Sequence, residues 1–519
     1  MGYKIIDIKV PVDYTDHLIY NTISKKLRIS EFTYHIDNKS LDARKKDNIH
    51  WLLRCTVISK KLRGDVPPKT PTVDIYYNDL KEKVVVIGNG PAGFFSALVL
   101  QISGYDVTIV ERGTDVDKRS VGIEKFESSG VFDPESNYAF GEGGAGTFSD
   151  GKLTSRSKHI SKERQFIISS YIKAGAPEEI AYMKHPHLGS DNLKKIVKNL
   201  RKEFIDYGGK VIFETEVKDL KVTDGKVTEI EISTGVLEAD HFIFAIGHSA
   251  YDTFRMLIRN GVQFRTKNFA IGSRVEHPQK LINIAQWGRE SLPGVKAAEY
   301  RLTSKGDGNS PVYTFCMCPG GKIVPAGAFK NINIVNGMSL YQRDGEFANA
   351  ACVAGVDPNA LLGKEATAEE MLDWVEALEN KFHQYSKEYK APFCTIENFI
   401  NKKKPSTAIN SSYPMGLIPA PLWELLPESI SNSIREGLKD FSKKLKGFET
   451  GNIMGLESKT SSPIQVLREK NGLCSGFSNL YMVGEGSGYT GGIISSAADG
   501  IKVAIELSSI PENKHKIQF

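Results

Sequence analysis

Three glycines and a carboxylate offer the clearest chemistry in this chain. Gly88, Gly90 and Gly93 form G-x-G-x-x-G, with Pro91 and Ala92 between them, and Glu111 follows about 20 residues on. Gly88 permits a tight strand-to-helix turn. Gly90 lets a pyrophosphate approach the backbone, and Gly93 lets the helix pack close to the sheet. The helix N-terminus offers unpaired N–H groups to phosphates, and Glu111 can accept hydrogen bonds from ribose hydroxyls. This is the chemistry of dinucleotide binding.

A second candidate is Cys316-Met-Cys318, just before Pro319-Gly-Gly321. The spacing is too close for a redox C-x-x-C helix, and strand alternation would point both thiols to one face. They read either as redox-active or substrate-binding thiols, or as two small buried hydrophobes. A zinc site would need two more ligands. His185 and His187 flank Pro186 far away in the chain, so no metal is expected.

The elements around the glycines are the ones such a site needs. Residues 84–87 are a short apolar run expected to be a strand buried on both faces. Residues 94–100 continue as an apolar helix, and 107–110 form a second buried strand. Residues 239–248 and 480–494 each repeat the pattern of apolar strand and glycine turn, and the latter leads into a helix to about residue 507. Between them, 112–152 reads as a long connection with little periodicity, rich in glycine but carrying Tyr138, Phe140 and Phe148. An amphipathic helix is expected over 191–207 with Ser190 or Asp191 as N-cap. The turn Thr223-Asp-Gly-Lys226 predicts a hairpin. From 264 to about 447 short strands (269–275, 311–317, 321–326) mix with helices at 367–388 and 427–445.

The expected organisation is α/β. A small basic α+β domain with a ferredoxin-like strand-helix-strand-strand order covers 1–66, and a proline-rich linker covers 67–81. A Rossmann-like cofactor domain takes 82–263 and returns at 448–509. A mixed α+β substrate or cap domain is inserted at 264–447, and a polar tail covers 510–519.

At 519 residues there is ample core for two or three domains. With 40% hydrophobic and 25% charged residues the composition is that of a globular chain, which excludes fibrous and disordered classes. No apolar run reaches the roughly 18 residues a membrane helix needs, so no membrane association is expected. Six sparse cysteines suggest a reducing, cytoplasmic setting. The net charge of +5 lies wholly in residues 1–66, where 13 Lys/Arg face 8 Asp/Glu. That is either a solvated basic face or an attraction to RNA, a membrane surface or an acidic partner.

Residues 40–46, the Gly88 loop, 141–153, 313–321, 457–463 and 484–499 resemble a family of FAD-dependent dehydrogenases, sometimes called NAD(FAD)-utilizing dehydrogenases. The arrangement is similar to two-dinucleotide-fold flavoproteins of the glutathione-reductase-2 type. The resemblance implies FAD, bound non-covalently, and oxidoreductase chemistry by hydride transfer at flavin N5, on a small-molecule substrate it does not specify. It implies pyrophosphate contacts at Gly88, Gly90, Pro91, Ala92 and Gly93, and ribose contacts at Glu111. Arg112 would lie beside the adenosine, or be a solvated surface arginine. Val217 would read the adenine edge through its backbone, and Gly247 would pass near the pyrophosphate. Gly484-Glu485 stands where many relatives have Gly-Asp, the acid binding a ribitol hydroxyl. Gly491, Gly492 and Ile493 would face the N1–C2=O2 edge of the flavin.

Lys152 could place a charge near the flavin N5 or the pyrophosphate, or be a solvated or structural lysine. His248 is a candidate proton donor or a turn histidine, and Ser461-Ser462-Pro463 line the flavin pocket or form a surface turn. No second complete G-x-G-x-x-G with a following acid is present, so NAD(P)H would enter as a transient reductant. The alternatives are a flavin-dependent RNA-modifying enzyme using residues 1–66, and a flavin-bound regulatory protein without turnover.

Overall fold

The computed structural model describes residues 2–65, 67, 70–78, 81–404, 410–509 and 515–517. The expected linker and tail fall partly outside these residues. Within the tail, His515–Ile517 pairs antiparallel with Ile75–Tyr77 and is thus a strand.

The centre is a five-stranded parallel sheet. Its order is Leu480–Met482, His241–Phe244, Lys83–Ile87, Asp106–Val110, Lys210–Ile212. These strands are short and apolar because both faces are covered. Val84 to Ile87 are all buried. Helix Pro91–Ile102 packs against the last helix, Ile493–Ser508, on one face. Parallel pairing sets Phe242 beside both Val85 and Leu480. Three strands far apart in sequence therefore end side by side, with their following turns at one edge.

The stretch after Glu111 holds a helix that periodicity did not suggest, Val116–Ser129. It is capped by Asp115, whose carboxylate accepts from the amides of Asp117 (3.0 Å) and Lys118 (3.3 Å), and it closes on Gly130 at φ 71°. Its buried face is Val116, Arg119, Gly122, Ile123 and Phe126. A buried arginine and glycine in that face erase the hydrophobic signal.

The helix expected over 191–207 runs Gly189–Asp206. Leu188 stands at its N-cap without a side-chain bond. The expected caps are engaged otherwise: Ser190 lies inside the helix, and Asp191 Oδ1 accepts from the Tyr341 amide at 2.8 Å.

The predicted hairpin forms from Val217–Thr223 and Lys226–Ile232, with Gly235–Glu238 as a third strand. A large, mostly antiparallel sheet is centred on Phe269–Pro278, Phe347–Val356 and Val312–Pro325. The last replaces the two expected strands 311–317 and 321–326. It is one strand bent by register shifts at Phe315/Cys318 and Cys318/Gly321. Helices Ala368–Ser386 and Glu428–Lys444 cover this sheet. Strand Asn452–Glu457 pairs with Phe269–Pro278, so the antiparallel layer extends past the expected boundary at 447. The chain rejoins the parallel sheet at Leu480.

At the N-terminus, Gly2–Pro11 and Thr33–Asp42 flank His50–Ser59, with helix Asp16–Leu27 packed through Ile19 and Ile23. This is half of a ferredoxin-like pattern. It docks on the rest through Lys39, whose amide donates to Tyr182 O at 2.8 Å.

Candidate functional site

The three glycine turns meet at the edge of the parallel sheet. A Cβ on Gly88 (φ 103°) would sit 2.5 Å from Ala245 O, and one on Gly93 would sit 1.9 Å from Gly88 O. No side chain fits at either position, so helix and strands close to backbone contact. A Cβ on Gly484 would meet Ala92 Cβ at 2.5 Å, and one on Gly486 would meet Gly247 O at 2.4 Å. Two other glycines have the opposite surroundings. Gly247 (φ 65°) and Gly492 (φ 79°) have nothing within 4 Å of the added atom. Both face open space beside the turns, as a cofactor cradle must.

Gly90 caps helix Pro91–Ile102, with Pro91 in its first turn. Gly492 caps Ile493–Ser508, and Gly491 and Gly492 are exposed. Two helix N-termini thus open on the same region. A small pocket, about 30 Å³, is lined by Gly90, Pro91, Gly143, Gly146, Thr147 and Ile493 among others.

Glu111 is 5% exposed and already occupied by the protein. Its Oε2 accepts from the Asn89 amide (2.8 Å), and its Oε1 accepts from the amides of Gly113 and Gly141 (2.9 Å each). Of roughly four acceptor positions on a carboxylate, three are taken. Its backbone carbonyl also receives the Thr215 amide (3.0 Å), which places Val217 at the same corner. Arg112 is neither solvated nor free. It pairs bidentately with Asp252 (3.0 and 2.8 Å) and with Glu216 (3.1 Å), and lies over the rings of Phe140 and Phe329. Glu485 pairs with His248 at 3.4 Å, and Asp499 on the last helix accepts the Gly484 amide at 2.8 Å. Ser462 Oγ accepts the Ile464 amide in a local turn.

The residue that sequence reading missed is Arg119. It is fully buried and, among the described residues, has no carboxylate hydrogen-bond partner. Its guanidinium donates to the carbonyls of Asn137, Tyr138, Glu142 and Gly144 at 2.8–3.0 Å and stacks on Phe148. Burial pushes its pKa down to about 10. One side chain thereby folds the glycine-rich loop, and Gly143 N in turn donates to Asn89 O at 2.8 Å.

The loop then carries charge toward the thiols. Gly146 abuts Ile493, with an added Cβ 3.2 Å from Cγ1, and Ser155 Oγ lies 2.7 Å from Ser495 Oγ. Between these anchors Lys152 pairs with Asp150 (2.7 Å) and hydrogen-bonds Met317 O. Asp150 is also held bidentately by Arg343 (3.0 and 2.6 Å). Burial alone would raise the Asp150 carboxyl, but Lys152 and Arg343 hold it far below its ordinary value. Burial likewise opposes the charge on Lys152, and Asp150 more than restores it.

Cys316 has φ 43°, rare for a side-chain-bearing residue, and is partly accessible, whereas Cys318 is fully buried. The expected alternation of the two thiols is therefore replaced by a bulge. Arg274, also fully buried, donates to Cys316 O (2.7 Å), Cys318 Sγ (3.5 Å), Asn349 Oδ1 (2.7 Å) and Glu457 Oε2 (2.8 Å). Burial pushes Glu457 up against the pull of Arg274. His185 pairs with Glu299, and His187 bonds Tyr341 O. No group of three or more metal-ligating side chains gathers among the described residues. No helix among them is long and apolar enough to cross a membrane.

Three family models match the chain. Residues 81–138 match an FAD binding domain, 268–460 match the C-terminal domain-like part of an FAD-dependent protein, and 3–58 match a domain of unknown function. The cofactor is therefore FAD. An uncharacterized protein of Clostridium beijerinckii is 38% identical over 99% of this chain and 100% of its own length. Among solved structures, the chain is similar to glycine oxidase from Bacillus cereus (13% identity, TM-score 0.34, 83% of this chain and 96% of that one). It is also similar to L-proline dehydrogenase from P. horikoshii (12% identity, TM-score 0.36, 83% and 94%).

Proposed function

This chain belongs to the same family as the clostridial protein, and from that premise we propose that it is an FAD-dependent oxidoreductase. FAD supplies the redox step, taking or giving a hydride at N5. The chain's own residues bind and orient it. Gly88, Gly90 and Gly93 admit the pyrophosphate to the N-terminus of helix Pro91–Ile102. The helix N-terminus at Gly491, Gly492 and Ile493, exposed at its two glycines, favours the negative charge that collects on reduction. Lys152 brings a cation to the same region.

The observation that carries this reading is the meeting of three glycine turns beside two open helix N-termini. The motifs at 313–321 and 484–499 support a place among glutathione-reductase-2-type flavoproteins. A dihydronicotinamide is the reductant we favour, entering as a transient substrate.

The test is anaerobic. Purified protein reconstituted with FAD should be yellow, and NADH or NADPH should bleach it. Protein that stays colourless after reconstitution ends the proposal. Yellow protein that no donor bleaches, dithionite excepted, points instead to a flavin-bound protein without turnover.

A further inference from the structure

We propose that Cys316 and Cys318 are a redox pair that exchanges two electrons with the FAD and, through Cys316, with a disulfide substrate. The proposal rests on the oxidoreductase reading above and adds its substrate class.

Four observations lead to it. First, the bend folds Cys318 Sγ back to within 3.3 Å of Cys316 O, to which it donates, so the two side chains lie close enough to influence each other's ionisation. A pair serving only as small hydrophobes has no need of this. Second, the bend that makes the contact is costly. Cys316 takes a left-handed backbone at one of two register shifts in its strand, and strain of this kind collects at functional sites. Third, two cations, each also paired with a buried carboxylate (Arg274 with Glu457, Lys152 with Asp150), reach the pair. Arg274 reaches Cys318 Sγ and Cys316 O, and Lys152 reaches Met317 O between them. Fourth, the pair abuts the cofactor loop. Lys152 lies on the segment anchored to Ile493 and Ser495, at the start of the last helix.

Exposure divides the roles. Cys316 is partly accessible and Cys318 is not, so Cys316 meets substrate and Cys318 resolves. Cys318 favours the Cys316 thiolate most. Lys152 and Arg274 add to it, and burial opposes it. The thiolate is the nucleophile in disulfide exchange.

The steps balance. The Cys316 thiolate attacks a disulfide RSSR, forming an S–S bond to one sulfur and expelling RS⁻. Cys318 then attacks Cys316 Sγ, closing the Cys316–Cys318 bond and releasing the second sulfur. The proton of Cys318 leaves on one of the two products, so RSSR becomes RS⁻ and RSH. Reduced FAD returns a hydride equivalent to the pair, giving oxidised FAD, one thiolate and one thiol. A dihydronicotinamide restores the reduced FAD.

The experiment is an anaerobic dithionite titration of the full-length, FAD-loaded protein after incubation with 2-hydroxyethyl disulfide. After removal of excess disulfide, the wild type should take up four electrons per FAD, and Cys316→Ser should take up two. The oxidised wild type should show two fewer reactive thiols on denaturation than the six it holds when reduced. Cys318→Ser should trap one mercaptoethanol adduct on Cys316, read by mass. Yellow wild-type protein that takes up two electrons and keeps six thiols overturns the pair while leaving the flavoenzyme reading intact. Colourless protein overturns both.

Discussion

The Glu111 carboxylate turns back onto the dinucleotide loop and accepts the Asn89 amide at 2.8 Å. Its other oxygen accepts Gly113 and Gly141. One acid thus joins the phosphate turn to the glycine-rich loop before any ribose arrives. Glu111→Ala would leave three buried amides unpaired, at about 1–3 kcal/mol each. We expect a clear loss of thermal stability together with at least a tenfold loss of FAD affinity, followed by differential scanning fluorimetry and flavin fluorescence. A variant that keeps its melting temperature but loses FAD would mean that Glu111 serves the ribose alone.

The glycines separate into two kinds. Gly93→Ala places a methyl 1.9 Å from Gly88 O and should prevent folding of the cofactor domain. Gly492→Ala meets no protein atom, so its cost to the fold is about 1–3 kcal/mol of backbone strain, since φ 79° with ψ 165° is a conformation essentially reserved for glycine. It should nonetheless weaken FAD binding if the cofactor occupies the open space into which the methyl points, as we propose. Gly492→Ala with unchanged FAD affinity would place the cofactor elsewhere.

Arg119→Met keeps much of the side-chain volume but removes the donors to four carbonyls. Hydrogen bonds from a charged donor contribute about 1.5–3 kcal/mol each. The loop from Asn137 to Phe148 should open to limited proteolysis and FAD should dissociate. Cleavage sites unchanged from the wild type would refute this role.

His277 is fully buried, its Nε2–H donates to Phe448 O (2.7 Å), and burial pushes its pKa down to about 4. Between that value and its ordinary value of 6.5, the unfolded chain binds the proton and the folded one does not. Stability from this group is therefore present above pH 6.5 and lost as pH falls toward 4. The loss amounts to as much as about 3 kcal/mol. Urea unfolding at pH 5 and pH 7 should show it, and His277→Gln should narrow the difference. An equal difference in the variant would assign the pH dependence to other groups.

Cys316 should react with iodoacetamide at a pH well below that of an ordinary thiol, because Cys318 and the neighbouring cations favour its thiolate. Cys318→Ser, which replaces the thiol donor by a weaker acid, should move the reaction profile to higher pH. Coincident profiles for the two proteins would show that Cys318 does not set the reactivity of Cys316.

Much of this was written locally. Gly88, Gly93 and Gly484 stand where a turn tolerates no side chain, and the apolar runs before them leave a buried parallel strand as the consistent reading. That information lies within a few residues, so it survives without a structure. Other features depend on partners far away in the chain. Asp191 resembles a helix cap locally but is taken by the Tyr341 amide, and Arg119 looks like a surface arginine until four loop carbonyls close on it. The helix around it was hidden for the same reason.

The sequence by itself determined that this chain cradles a dinucleotide, because backbone conformation and close approach restrict the residue type at each turn. Only the tertiary structure decided what surrounds the cofactor. Lys152, Arg274 and the bend at Cys316 come together through sheet pairing and buried charge, and those depend on distances that neighbouring residues do not encode.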